Sequence, residues 1–161
     1  IKNSFALKFA IIYHDIIYLP WAFTNEERSA EKLKLGLNRL GINRDIINEA
    51  SRLVRVTQFH TPNKGDIDGC VICDLDFASL AVNWNRFFRY MHNIKKEFAF
   101  KDFDVFSIAA RSFYLDMLHR ERIFMTDYFY EKYECQARDN MDRALHRLWF
   151  RTAKYKDKTV P

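Results

Sequence analysis

The stretch Phe5-Ala6-Leu7-Lys8-Phe9-Ala10-Ile11-Ile12-Tyr13-His14-Asp15 decides the fold class. It reads as a helix with apolar side chains on nearly every side, which predicts a central helix over 4–18 stopped by Leu19-Pro20. It opens with no visible cap or lead-in, so an upstream segment is expected. An imidazole and a carboxylate closing such a helix are costly to bury unless something compensates them. A divalent cation would compensate both.

Outward from this stretch, helical signals repeat. After a loop over 20–25, Thr24-Asn25-Glu26-Glu27 has the form of a capping box, with Thr24 as N-cap and Glu27 reaching back to it. A helix over 26–40 follows, closed by Gly41. Another is predicted over 43–58, starting at Asn43 or Asp45, with Ile46, Ile47, Ala50, Leu53 and Val54 on its apolar face. Residues 60–69 read as the one long loop. Helices over 70–82, 83–99, 102–119 and 127–152 complete the chain, with 153–161 as a frayed tail. The expectation is an all-α single domain, a bundle of six to seven helices over 1–161.

Composition agrees. Only 4 Gly and 3 Pro in 161 residues leave few tight turns for an all-β fold, and 15 Phe supply large core side chains. No cleavage pattern marks residues 1–13, and no apolar run reaches the ~20 residues of a membrane span. The chain therefore reads as cytoplasmic, with no membrane partner. Three cysteines without a dense framework fit a reducing compartment. Cys70-Val71-Ile72-Cys73 has half the spacing of a zinc ribbon but no second half, and reads as buried thiols. The net charge of +5 is concentrated near the end, in Arg143, Arg147, Arg151, Lys154, Lys156 and Lys158. Such a segment is ordinarily a solvated tail. No nucleic-acid motif accompanies it, and the aromatics keep helical core spacing, so a nucleic-acid partner is disfavoured.

The residues that could carry chemistry are few. His14 and Asp15 point ~100° apart on a helix, so one ion reaches both only from between them. Alternatively they are a hydrogen-bonded core histidine beside a capping carboxylate. Asp74 and Asp76 lie two apart, so at most one joins a site easily; a first-turn helix charge is the competing account. His60 follows Thr57-Gln58-Phe59 at a helix end, either as a cation-friendly terminus or as a second imidazole over a metal or substrate. Glu26 is not needed for capping and is the better general base or water-orienting group. Lys64 and Arg111 are candidates for neutralising substrate charge. Structural pairing with Glu97, Glu121 or Glu134 competes for Arg111, Arg120 and Arg138.

In order, His14-Asp15, Asn25-Glu26-Glu27-Arg28-Ser29-Ala30, Thr57-x-x-His60 and Asp74-Leu-Asp76-Phe-Ala-Ser-Leu resemble the predicted metal-dependent phosphohydrolases of the HD superfamily. Tyr90, Ile94-Lys-Lys-Glu-Phe98, Ala110-Arg111, Leu118-x-Arg120-x-x-Ile123-Phe124-x-Thr126 and Glu134-x-x-Ala137-Arg138-x-Asn140 resemble its later segments, so the likeness spans almost the whole chain. The resemblance implies an all-α fold and a metal held in the pattern His…His-Asp…Asp. His14 and Asp15 match the central pair and Asp76 the final ligand, with Asp74 as the weaker choice. Glu26 and His60 match the rim. The family's first histidine has no counterpart before His14; either an upstream segment carries it or this member lacks it. The implied cofactor is a divalent ion such as manganese, iron, cobalt, nickel, magnesium or zinc. The implied reaction is hydrolysis of a small phosphate ester, a nucleotide among the candidates. The alternative is a non-catalytic module of the same fold that binds a nucleotide or a protein.

Overall fold

The computed structural model describes residues 1–98 and 103–156, with side chains omitted at 103–105 and 148–156. The described residues form seven α-helices and one short 3-10 helix, with no strand. None of these helices is long and apolar enough to cross a membrane. The chain divides into two compact units, Ile1–Asp76 and Phe77–Pro161.

The first unit holds α1 (Ser4–Tyr13), α2 (Asn25–Arg39), α3 (Arg44–Val56) and nearly all of α4 (Ile67–Phe77). α1 and α2 both pack on α3. Their shared core includes Leu7, Ala10, Leu33, Leu37, Leu53 and Val54, all buried. Full burial of each such leucine contributes about 1.5–3 kcal/mol. The small faces of Ala6, Ala10, Ala30 and Ala50, all fully buried, fill the remaining core positions.

α1 departs from expectation in three ways. It has a cap, since Asn3 accepts a hydrogen bond from the Ala6 N–H at 3.0 Å. It ends at Tyr13, not at 18, because Ser29 on α2 captures both backbone groups of Ile17. It is also not central. Phe5 and Ile12 are about two-thirds exposed, and Ile1, Ile11 and Ile16 are exposed too. An apolar composition all round a helix did not translate into burial all round.

The capping box at α2 is also absent. Thr24 is the N-cap but makes no side-chain cap bond, and Glu27 instead grips the Arg55 guanidinium on α3 with both oxygens. The end of α2 follows the expectation. Gly41 takes φ +67°, with Gly41 N–H donating to Asn38 O and Ile42 N–H to Leu37 O, both at 3.1 Å. That is the paired-bond termination that favours glycine. α3 starts at the Asn43 cap, which accepts from Asp45 N–H at 2.7 Å.

α4 begins three residues before the expected start. Asp66 caps it, accepting from the Gly69 N–H at 3.0 Å, and is itself gripped by Arg52 of α3. A Cβ on Gly69 would collide with the Asp66 carboxylate and with Pro62. This glycine therefore belongs to a helix start rather than to a loop. Buried Asp68 accepts from the backbone N–H groups of Lys2 and Asn3 and ties α4 to the lead-in of α1.

The second unit contains the 3-10 turn Ala78–Ala81, α5 (Trp84–Glu97), α6 (Phe103–His119) and α7 (Asp127–Lys156). The helix expected over 70–82 stops at Phe77; after the 3-10 turn Val82 is extended and Asn83 caps α5, which leaves a break between the two helices. Fully buried Asn140 of α7 donates to Leu80 O at 2.8 Å and Val82 O at 2.7 Å, which holds that break. Buried Glu134 accepts from the N–H groups of Ile123 and Phe124, and Arg138 pairs with it while donating to Leu118 O and Arg120 O. Arg120 pairs with Asp116 rather than Glu121. In the basic segment Arg143 and Arg147 are exposed, as expected, yet their guanidiniums lie 4.1 and 5.2 Å from the Trp84 ring centroid. Of the expected tail, residues up to 156 continue α7 and 157–161 lie outside the described residues.

Candidate metal centre

Three segments of the first unit meet at one point. His14 is the C-cap of α1, its N–H closing onto Ala10 O at 2.8 Å. Its ring Nδ1 lies 2.9 Å from Ile11 O. A carbonyl only accepts, so Nδ1 carries the proton in this bond, which leaves Nε2 as the ring nitrogen facing the two carboxylates. Nε2 stands 3.5 Å from Asp15 Oδ2 and 3.8 Å from Asp76 Oδ1. One ligand atom from each of His14, Asp15 and Asp76 lies within 4.8 Å of the other two. It is the one such group of three or more among the described residues.

The two carboxylates repel each other, while a protonated His14, or a cation among the three groups, would attract both, and Asp15 reflects this balance. Its carboxyl is pushed above the ordinary value, first by burial and then by the neighbouring charges of Asp76 and Glu26, with the two imidazoles pulling the other way. Asp76 is the penultimate residue of α4, where the negative end of the helix dipole disfavours a carboxylate. The competing account of Asp74 and Asp76 as first-turn helix charges does not hold, because the helix starts earlier than its composition suggested. Asp74 is fully buried and is not among the converging donors. A borderline or hard divalent ion fits a set of one nitrogen and two carboxylate donors.

His60 completes the arrangement. It lies beyond the C-terminus of α3 with φ +51°, the one positive φ at a non-glycine among the described residues. Its N–H bonds Val56 O at 3.0 Å. A left-handed backbone costs a side-chain-bearing residue about 1 kcal/mol or more. Here it delivers Nε2 to Asp76 Oδ2 at 2.8 Å.

Glu26 sits half-buried in the first turn of α2, close enough to act on the Asp15 charge. Its helix is set by two residues whose roles the sequence reading missed. Asn25 accepts from Leu19 N–H and donates to Leu19 O and Ala22 O, and Ser29 holds Ile17. Both are buried, so the loop leaving His14-Asp15 is fastened to α2 by side chains. Polar residues four apart on the inner face of an amphipathic helix were the available signal. Lys64 is exposed in the turn before α4. Arg111 is on α6 in the second unit, half-buried beside Leu115, Asp142 and His146. Cys73 is buried and its thiol is pushed up to about 12, first by that burial, in keeping with an inert thiol.

No protein-family model matches the chain. Comparison with curated proteins and with solved structures likewise found no match. The geometry of the site therefore carries the functional reading.

Proposed function

We propose that this chain is a metal-dependent phosphohydrolase acting on a small phosphate ester. The observation that carries the reading is the convergence of the adjacent His14 and Asp15 with Asp76, far along the sequence, onto one point. Three protein donors leave positions open for water and a phosphate oxygen, the pattern of catalytic rather than structural metal sites. A bound divalent ion would supply an acidified water and polarise the phosphoryl group.

The chain's own residues divide the remaining work. The Nδ1 bond to Ile11 O fixes the His14 tautomer and keeps Nε2 available. Glu26, near enough to act on the Asp15 charge, would accept a proton from the attacking water or orient it. Lys64 supplies a cation at the end of the loop that His60 opens. The exposed rings of Phe23 and Phe59 stand on the two loops that border the donors, and Gln58 joins those loops by donating to Phe23 O at 2.9 Å. Exposed aromatic surface on these loops favours a nucleotide over an aliphatic ester.

The test pairs titration of the metal-free protein with Mn2+, Co2+, Ni2+, Mg2+ and Zn2+ with a hydrolysis panel of nucleotides and simple phosphate esters. Stoichiometric binding and turnover are expected, both lost in Asp76→Ala. Binding without turnover across the panel would favour the alternative, a non-catalytic module that binds a nucleotide or a protein.

A further inference from the structure

We propose that His60 is a positioning residue, held in a left-handed backbone so that it grips one oxygen of Asp76 and presents the other to His14 and Asp15. The inference rests on the metal-site reading above and goes beyond it by assigning a task to backbone geometry. Three observations carry it. A glycine or asparagine is the usual occupant of a left-handed position after a helix, yet a histidine stands here at φ +51°. The Asp76 carboxylate is divided between two rings, with Oδ2 at 2.8 Å from His60 Nε2 and Oδ1 at 3.8 Å from His14 Nε2. Finally, a carboxylate can only accept, so the 2.8 Å contact puts a proton on His60 Nε2. That nitrogen supports a ligand rather than serving as one.

The test uses the full chain, stripped of metal, and compares His60→Gly with His60→Gln. Glycine relaxes the backbone and deletes the grip. The Gln amide nitrogen can stand in for Nε2 but keeps the backbone cost. His60→Gly should melt at or above the wild-type temperature yet bind Mn2+ at least tenfold more weakly, about 1.4 kcal/mol. His60→Gln should melt at or below wild type yet recover most of the affinity. A purely structural histidine would move stability and affinity together. Mn2+ affinity within threefold of wild type in His60→Gly, or affinity that tracks melting temperature across the variants, overturns the assignment while leaving the metal site standing. Equal Mn2+ binding by wild type and Asp76→Ala removes the metal site, and the assignment with it. A double-mutant cycle of His60→Gly with Asp76→Asn, read as melting temperature in chelator, should show coupling; zero coupling overturns the grip without reference to metal.

Discussion

Asp15 concentrates the tension of the site. Its folded carboxyl holds a proton more tightly than an ordinary aspartate, so the charged form weakens the metal-free fold as pH rises through that raised value. Asp15→Asn removes the repulsion with Asp76 and Glu26 and should raise the metal-free melting temperature slightly. The side chain is more than half exposed, so solvent screening keeps the gain below about 1 kcal/mol. The same change should abolish Mn2+ binding, which calorimetry of both forms checks. Cysteine reactivity offers an independent test of placement. Exposed Cys135 should be alkylated at pH 8 in the native protein, and buried Cys73 only after unfolding, as peptide mass analysis would reveal. At this scale His14-Asp15 and the Asp74/Asp76 pair stood out in the sequence because they interrupt apolar surroundings, where a lone charge needs a partner; the choice of Asp76 over Asp74 came from the family resemblance. The tasks of Asn25 and Ser29 were hidden, because what they bind is backbone, and backbone leaves no letter in the sequence.

Helix ends are where element-scale reasoning can be tested. Burial opposes ionisation of Asp66, but the Arg52 guanidinium and the Gly69 N–H prevail and hold its carboxyl below the ordinary value. Such a group adds stability above pH ~4 and loses it as pH falls through the lowered value. Asp66→Asn keeps a helix cap but discards the ion pair, so the variant should be less stable than wild type at pH 7 and converge with it in acid, as urea melts at the two pH values would report. Gly69→Ala should cost more than the few tenths gained by an ordinary glycine-to-alanine change in a helix, since the new carbon strikes Asp66 and Pro62. Asn140→Ala should cost about 2 kcal/mol, because the Leu80 and Val82 carbonyls lose their donor together. Gly41 and Asn43 were legible because their jobs are local. The start of α4 was not. Gly65-Asp66-Ile67-Asp68-Gly69 has the composition of a turn, and it resembles a loop until Arg52, fourteen residues away from Asp66, is seen to grip the cap.

Across the whole molecule, all-helical architecture followed from scarce glycine and proline and from helical apolar spacing, and the structure has that architecture. The division at Asp76 was not legible, since no change in composition marks it. It has a measurable consequence. Every candidate donor belongs to residues 1–76, so Mn2+ should slow amide hydrogen exchange around His14, His60 and Asp76, with no comparable direct effect over residues 77–161. Saturation at a hundred times Kd should add about 2.7 kcal/mol to the stability of the part that binds. The distance along the chain between Asp15 and Asp76 has a kinetic side as well. On the metal-site reading, unfolding would separate Asp76 from the adjacent His14-Asp15 pair and dismantle the three-donor grip. Tight capture would then wait for folding, and escape of the ion and melting of this half of the protein would become a single coupled event.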